Sequence, residues 1–105
     1  MPPNESDGDN IEFTASAIGD YIIWLSETGT DSEFTKFTEN PSSAQRFQIR
    51  ADKNSQLVSI NALTFTDTVT ITADQNHIER RNTPTITRMT IRTTQTGTKL
   101  KIRWF

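Results

Sequence analysis

An all-β domain is what this sequence predicts, on three observations. Threonine occurs 18 times and isoleucine 11 times among 105 residues, and both branch at Cβ and favour extended backbone. Turn-forming groups recur roughly every ten residues, the spacing of antiparallel sandwiches and barrels. Between the turns, apolar and polar residues alternate as they do in strands with one buried face. The expected architecture is an antiparallel β-sandwich or flattened barrel of about eight or nine short strands, with little or no helix.

Residues 1–10, MPPNESDGDN, carry no apolar side chain after Met1. They are expected to form a flexible acidic arm that orders only on a partner, ahead of a single β domain spanning 11–105. The turn signals AIGD, TGTD, ENPSS, DKNS, TDT, ADQN, NTP and TQTG divide that domain. Strands are expected at 11–17, 20–27, 33–38, 45–51, 56–65, 68–73, 76–81, 85–94 and 98–105. The intervening stretches are too short for the crossover helices of a parallel sheet, so antiparallel pairing is expected throughout. One helical turn at PSSAQR (41–46) is the most helix the sequence allows.

Three segments carry more detail. In QLVSINALTF the apolar positions are even at Val58 and Ile60, then odd at Leu63 and Phe65, so the alternation changes phase near Asn61 and Ala62. A bulge or corner is expected there. TFTDTVTIT continues the new phase with threonines on the other face, and Asp67 falls where an apolar residue should be. A buried Asp needs a cationic partner, so a strand break at Asp67 is the expectation, with the threonines facing water. DYIIWLS is apolar on both faces: Tyr21, Ile23 and Leu25 on one, Ile22 and Trp24 on the other. Such a strand is central and covered, a subunit contact, or a ligand platform.

The last twenty residues read as a hairpin across TQTGT, with Gly97 supplying a positive φ. Met89 and Ile91 would share its core face with Leu100, Ile102 and Trp104. Its other face would gather Arg88, Arg92, Lys99, Lys101 and Arg103. Like charges side by side on one ribbon repel, so that face is expected to meet carboxylates or phosphates.

Composition narrows the function classes. Leu, Ile, Val and Phe number only 23 of 105, so the core is thin and neighbouring copies are the supplement expected, cysteine being absent. With one histidine, His77, expected as a solvated turn residue, no zinc site or nucleophile-base pair suggests itself, and neither an enzyme nor a cofactor is expected. The acidic clusters DGD and DSE lack the ordered spacing of a calcium loop. No window is long and apolar enough for a membrane span, and the start does not read as a secretion leader.

The net charge of −2 hides an asymmetry: residues 1–40 hold nine acids and one base, residues 41–105 four acids and ten bases. The two halves are expected to meet within one molecule, between copies, or on a charged partner. The expectation that follows is a non-enzymatic assembly protein, a homo-oligomer or part of a larger capsid or tail assembly in a virion. A glycan-binding module using Tyr21 and Trp24, or a small phage-encoded inhibitor, is the alternative, with cytoplasmic or extracellular placement. Nucleic acid is an unlikely partner because the basic ribbon lacks interleaved aromatics.

Overall fold

The computed structural model describes residues 10–25, 29–37, 46–61, 63–80 and 88–104. Nine strands, β1 (Asn10–Ala15), β2 (Asp20–Trp24), β3 (Thr35–Phe37), β4 (Arg46–Ala51), β5 (Ser55–Ile60), β6 (Leu63–Ile71), β7 (His77–Arg80), β8 (Arg88–Thr93) and β9 (Thr98–Trp104), make up its regular structure. No helix occurs among the described residues. The strands form two sheets, one ordered β1-β9-β4-β7 and the other β3-β2-β8-β5-β6. Here they are called sheet A and sheet B. The all-β sandwich is as the sequence predicts; the acidic arm ahead of Asn10 and residues 41–45 of PSSAQR lie outside the described residues.

Alternation builds the core. Each central strand sends every second residue inward, so Tyr21, Ile23, Leu57, Met89 and Ile91 of sheet B face Phe47, Ile49, Leu100, Ile102 and Trp104 of sheet A, all buried. Ile11, Phe13 and Val69 close the margin of this cluster. The buried hydroxyls at its ends are satisfied. The Thr93 hydroxyl donates to Ala17 O and accepts from Gly19 N–H, each at 3.1 Å, and the Ser55 and Thr98 hydroxyls donate to Lys53 O and Gln95 O.

The expected terminal hairpin does not form. β8 pairs with β2 and β5 in sheet B, whereas β9 pairs with β1 and β4 in sheet A. Residues 94–97 therefore arch from one sheet to the other. The arch is tied to its surroundings: Gly97 N–H donates to Ala15 O, the Thr94 hydroxyl donates to Asn54 O, and Gly97 has φ +76°. The inner faces of β8 and β9 then meet across the core rather than side by side. The chain in fact changes sheet at every connection except β2–β3 and β5–β6.

Two further expectations are corrected. β2 and β3 run parallel, Ile22 beside Thr35 and Trp24 beside Phe37; the described residues of the connection, 25 and 29–34, hold no helix. Its far end is fixed by Ile22 N–H to Phe34 O at 2.9 Å and Phe37 N–H to the Asp31 carboxylate at 2.7 Å. Phe34 lies on Gly19 and Phe37 on Gly29 so closely that a Cβ on either glycine would stand 2.7 Å from the ring.

The second correction concerns Asp67. The chain does not break there or at 66–68: β6 is one strand, and the phase change near Asn61 falls where β5 gives way to β6. Asn61 makes the turn there with φ +53°, a conformation asparagine tolerates better than most residues. What lapses is pairing. Leu57 faces Val69 but Ser59 faces Thr64, so β6 carries three more residues than β5 across this stretch, and Asp67 stands exposed among them. The mate β8 sees the opposite imbalance, with Leu57 and Ser59 facing consecutive residues Ile91 and Thr90 and Val58 as the extra one. Thr64 and Thr70 lie exposed on the outer face as expected.

Gly97 has nothing within 4 Å of an added Cβ, so Gly97→Ala isolates the cost of its positive φ. Chemical denaturation is expected to show a loss of about 1 kcal/mol. Ile102→Ala, which empties a fully buried site, is expected to cost about 2–5 kcal/mol in the same measurement.

Candidate functional site

Because Thr98, Leu100, Ile102 and Trp104 are buried, their alternates Lys99, Lys101 and Arg103 point outward from sheet A. β4 obeys the same rule: Phe47, Ile49 and Ala51 are buried, leaving Arg46, Gln48 and Arg50 outside. Register then builds a basic face. Lys101 lies between Glu12 of β1 and Arg50 of β4, and Arg103 lies between Asn10 and Gln48. Among the described residues, Glu12 is the one carboxylate at an outward position of the four strands.

The Lys99 end of this face deepens into a pocket of about 310 Å³, lined by Glu12, Arg50, Asp52, Asp74, Lys99 and Lys101 over a floor of Ala51 and Leu100. Two of its acidic residues serve the loops around it, Asp52 through its carboxylate and Asp74 through its backbone. Asp52 accepts from Lys99 N–H at 2.8 Å and lies 3.6 Å from the Lys53 ammonium. The Lys99 N–H is the main cause holding the Asp52 carboxyl below its ordinary range; slight burial opposes it and Lys53 adds to it. Asp74 takes a left-handed conformation, φ +61°, and its N–H donates to Ala51 O. Arg50 reaches Asn76 only at 3.4 Å.

The other cations expected on this surface are elsewhere. Arg88 and Arg92 belong to β8, so they lie on the outer face of sheet B, on the far side of the sandwich from Lys99, Lys101 and Arg103. Arg92 sits opposite Asp20 and grips it with two hydrogen bonds of 2.7 and 3.2 Å; that pairing, first through the hydrogen bond and then through charge, raises the guanidinium pKa. Arg88 stacks over the Trp24 ring at 5.2 Å and donates from Nε to Asn61 O at 3.0 Å. Ile22 and Trp24 are half-buried on this face beside Thr35 and Phe37.

Tyr21 is not a surface stacking residue. It is 1% exposed, between the Phe13 and Phe34 rings at 5.7 and 5.0 Å, and its hydroxyl donates to Ala17 O at 2.9 Å while accepting from Ala17 N–H. His77 is likewise not a solvated turn residue. It opens β7 opposite Ile49 and lies half-buried 2.9 Å from Glu79, at the margin where an edge strand's inward positions can be polar. Among the described residues no group of three or more His, Cys, Asp or Glu side chains is placed to hold a metal ion.

Sequence reasoning missed Arg46, Arg50 and Glu12 as members of the basic face. The alternation in RFQIRA already placed both arginines outward; only the pairing of β4 and β1 with β9 shows that they join Lys99 and Lys101.

A β-sandwich with one apolar core between its two sheets is the class these features define. Comparison with protein-family models, curated sequences and solved structures finds no match for the chain.

Asp52 gives a pH dependence of known sign. Its folded pKa is depressed, so its contribution to stability is present above the ordinary aspartate range and is lost as pH falls through the depressed value. Acid titration of denaturation midpoints is expected to fall less steeply over that window for Asp52→Asn than for the native chain. For sheet B, Arg88→Ala in a Trp104→Phe background is expected to raise acrylamide quenching of Trp24, since the guanidinium no longer covers the ring.

Proposed function

We propose that the protein is a non-enzymatic assembly subunit that joins copies of itself through the basic outer face of sheet A. The observation that carries this reading is the placement of charge. Arg46, Arg50, Lys99, Lys101 and Arg103 stand on adjacent strands with Glu12 between them, while Asp20, Asp31 and Glu33 lie at the β2–β3 end of sheet B. Asp20 is already bound to Arg92, and Glu33 accepts from the Ser16 hydroxyl at 2.8 Å. Within one molecule Asp20 neutralises Arg92, and the reading assigns Lys99 and Lys101 to acids from another molecule.

At finer grain the reading is a small component of a virus or phage particle, decorating a capsid or associated with a tail. A thin core, a threonine-rich exterior and the absence of cysteine support it, since particle subunits gain from neighbours what a small core lacks. A glycan platform has less support, because Tyr21 is buried and Arg88 covers Trp24.

Light scattering across a salt series tests the assembly reading. An oligomer at low ionic strength that dissociates as salt rises is expected, with Lys99→Glu/Lys101→Glu monomeric at all salts. A native chain that stays monomeric at low salt and high concentration overturns it.

A further inference from the structure

We propose that, independently of assembly, the pocket at the Lys99 end of sheet A binds a small phosphate or sulfate ester with a hydroxylated body. Register brings its cations together. Lys101 and Arg50 lie directly opposite each other on β9 and β4, where Cβ atoms stand about 5 Å apart and like charges repel. Lys99 projects from the same face of β9, about 6.8 Å along the strand. Neither the Lys99 nor the Lys101 ammonium forms an ion pair with the described residues, and Arg50 reaches only the neutral amide of Asn76, at 3.4 Å. Three such cations around one concavity of about 310 Å³ suit an oxyanion. A tetrahedral group offers oxygens in several directions, and the planar guanidinium meets two of them at once.

The walls are fixed before any ligand arrives. Asp52 N–H donates to Lys99 O at 3.2 Å, and the Asp52 carboxylate accepts from Lys99 N–H at 2.8 Å. Asp74 N–H donates to Ala51 O at 2.7 Å, and Ala73 N–H to the Asn54 side-chain oxygen at 2.8 Å. The loops after β4 and before β7 are thereby tied to each other and to β9, so little ordering is left for binding to impose. The acids define the rest of the ligand. Asp52 is engaged by the Lys99 N–H and the Lys53 ammonium, whereas the Glu12 and Asp74 carboxylates have no hydrogen bond or ion pair with the described residues. Two open carboxylates repel a polyanion and accept hydroxyl donors, so one oxyanion on a polyol body, as in a sugar phosphate or sulfate, is the chemistry they match.

The test follows amide spectra of the nitrogen-15-labelled full chain, dilute and at an ionic strength at which light scattering finds a monomer. Glucose 6-phosphate, glucose 6-sulfate, glucose or inorganic phosphate is added. Expected is saturable movement of the Ala51, Asp52, Asp74, Leu100 and Lys101 amides with an ester, and affinity about tenfold or more weaker for glucose or inorganic phosphate. Arg50→Gln is expected to weaken ester binding about tenfold, and Glu12→Gln/Asp74→Asn to shrink the preference for ester over inorganic phosphate. A response to one ester alone would name the oxyanion. No saturation with either ester would overturn the proposal. So would equal affinity for inorganic phosphate, movement spread equally over the Arg46 and Arg92 amides, or an Arg50→Gln variant that binds as the native chain does. Lys99 and Lys101 are shared with the assembly face, but binding is read on the monomer, so its failure leaves the assembly reading to the salt series alone.

Discussion

A thin apolar core that must be covered from both sides governs this molecule. Each strand buries one side chain in two, and no strand can shield its own inner face, so sheet B exists to cover sheet A and the reverse. The fully buried residues come from both layers in similar measure, Tyr21, Ile23, Leu57, Met89 and Ile91 against Phe47, Ile49, Leu100 and Ile102. The connectivity meets the same demand. By crossing between sheets at most of its connections, the chain ties the two layers together repeatedly, and the hydroxyls of Thr93 and Tyr21 fasten the Ala17–Gly19 crossing to the core.

That arrangement decides where charge goes. Inner positions of the described strands hold ions only at the margins, where His77 pairs with Glu79 and Lys36 lies over the Phe13 ring, so the other charged residues occupy outer positions and segregate by sheet. The arch at residues 94–97 divides the last two strands: the cations of β8 serve sheet B, where Arg92 binds Asp20 and Arg88 covers Trp24, and those of β9 serve sheet A beside Arg50 and Glu12. Tightness of packing is not uniform. The β2–β3 end relies on aromatic rings laid on glycines, Phe34 on Gly19 and Phe37 on Gly29, whereas the centre relies on interleaved aliphatic side chains.

Local chemistry was legible in the sequence and partnership was not. Alternation located strands at all nine places, because burial of one face writes itself into every second residue. The same alternation is satisfied whether β8 and β9 lie side by side or face each other across a core, which is why a hairpin reading of the arch was open. With both faces of DYIIWLS apolar, phase alone did not say that Tyr21 turns inward, so its use as a stacking platform had no local signal against it. Asp67 looked out of place only under the assumption that β6 keeps its register; the three extra residues on β6 let it face water. The phase change at Asn61 was visible, but its nature as a turn depended on a left-handed residue. The basic face was half legible: Lys99, Lys101 and Arg103 follow from β9 alone, while Arg46, Arg50 and Glu12 required knowing which strands flank it.

The lapse in pairing along β6 has a bearing on solubility. β6 is the outermost strand of sheet B and the longest in the fold, and a long, regular, threonine-rich border invites another chain to add itself as the next strand, the first event of fibril growth. Residues 65–68 interrupt the ladder on the inner side, so the backbone cannot hold the straight, evenly spaced row of amides that an incoming strand must match. The irregularity at Asp67, with a charge at its centre, thus acts as a guard on the border of the sheet. It lets the chain keep a row of hydroxyls at its rim without becoming a template for its own aggregation.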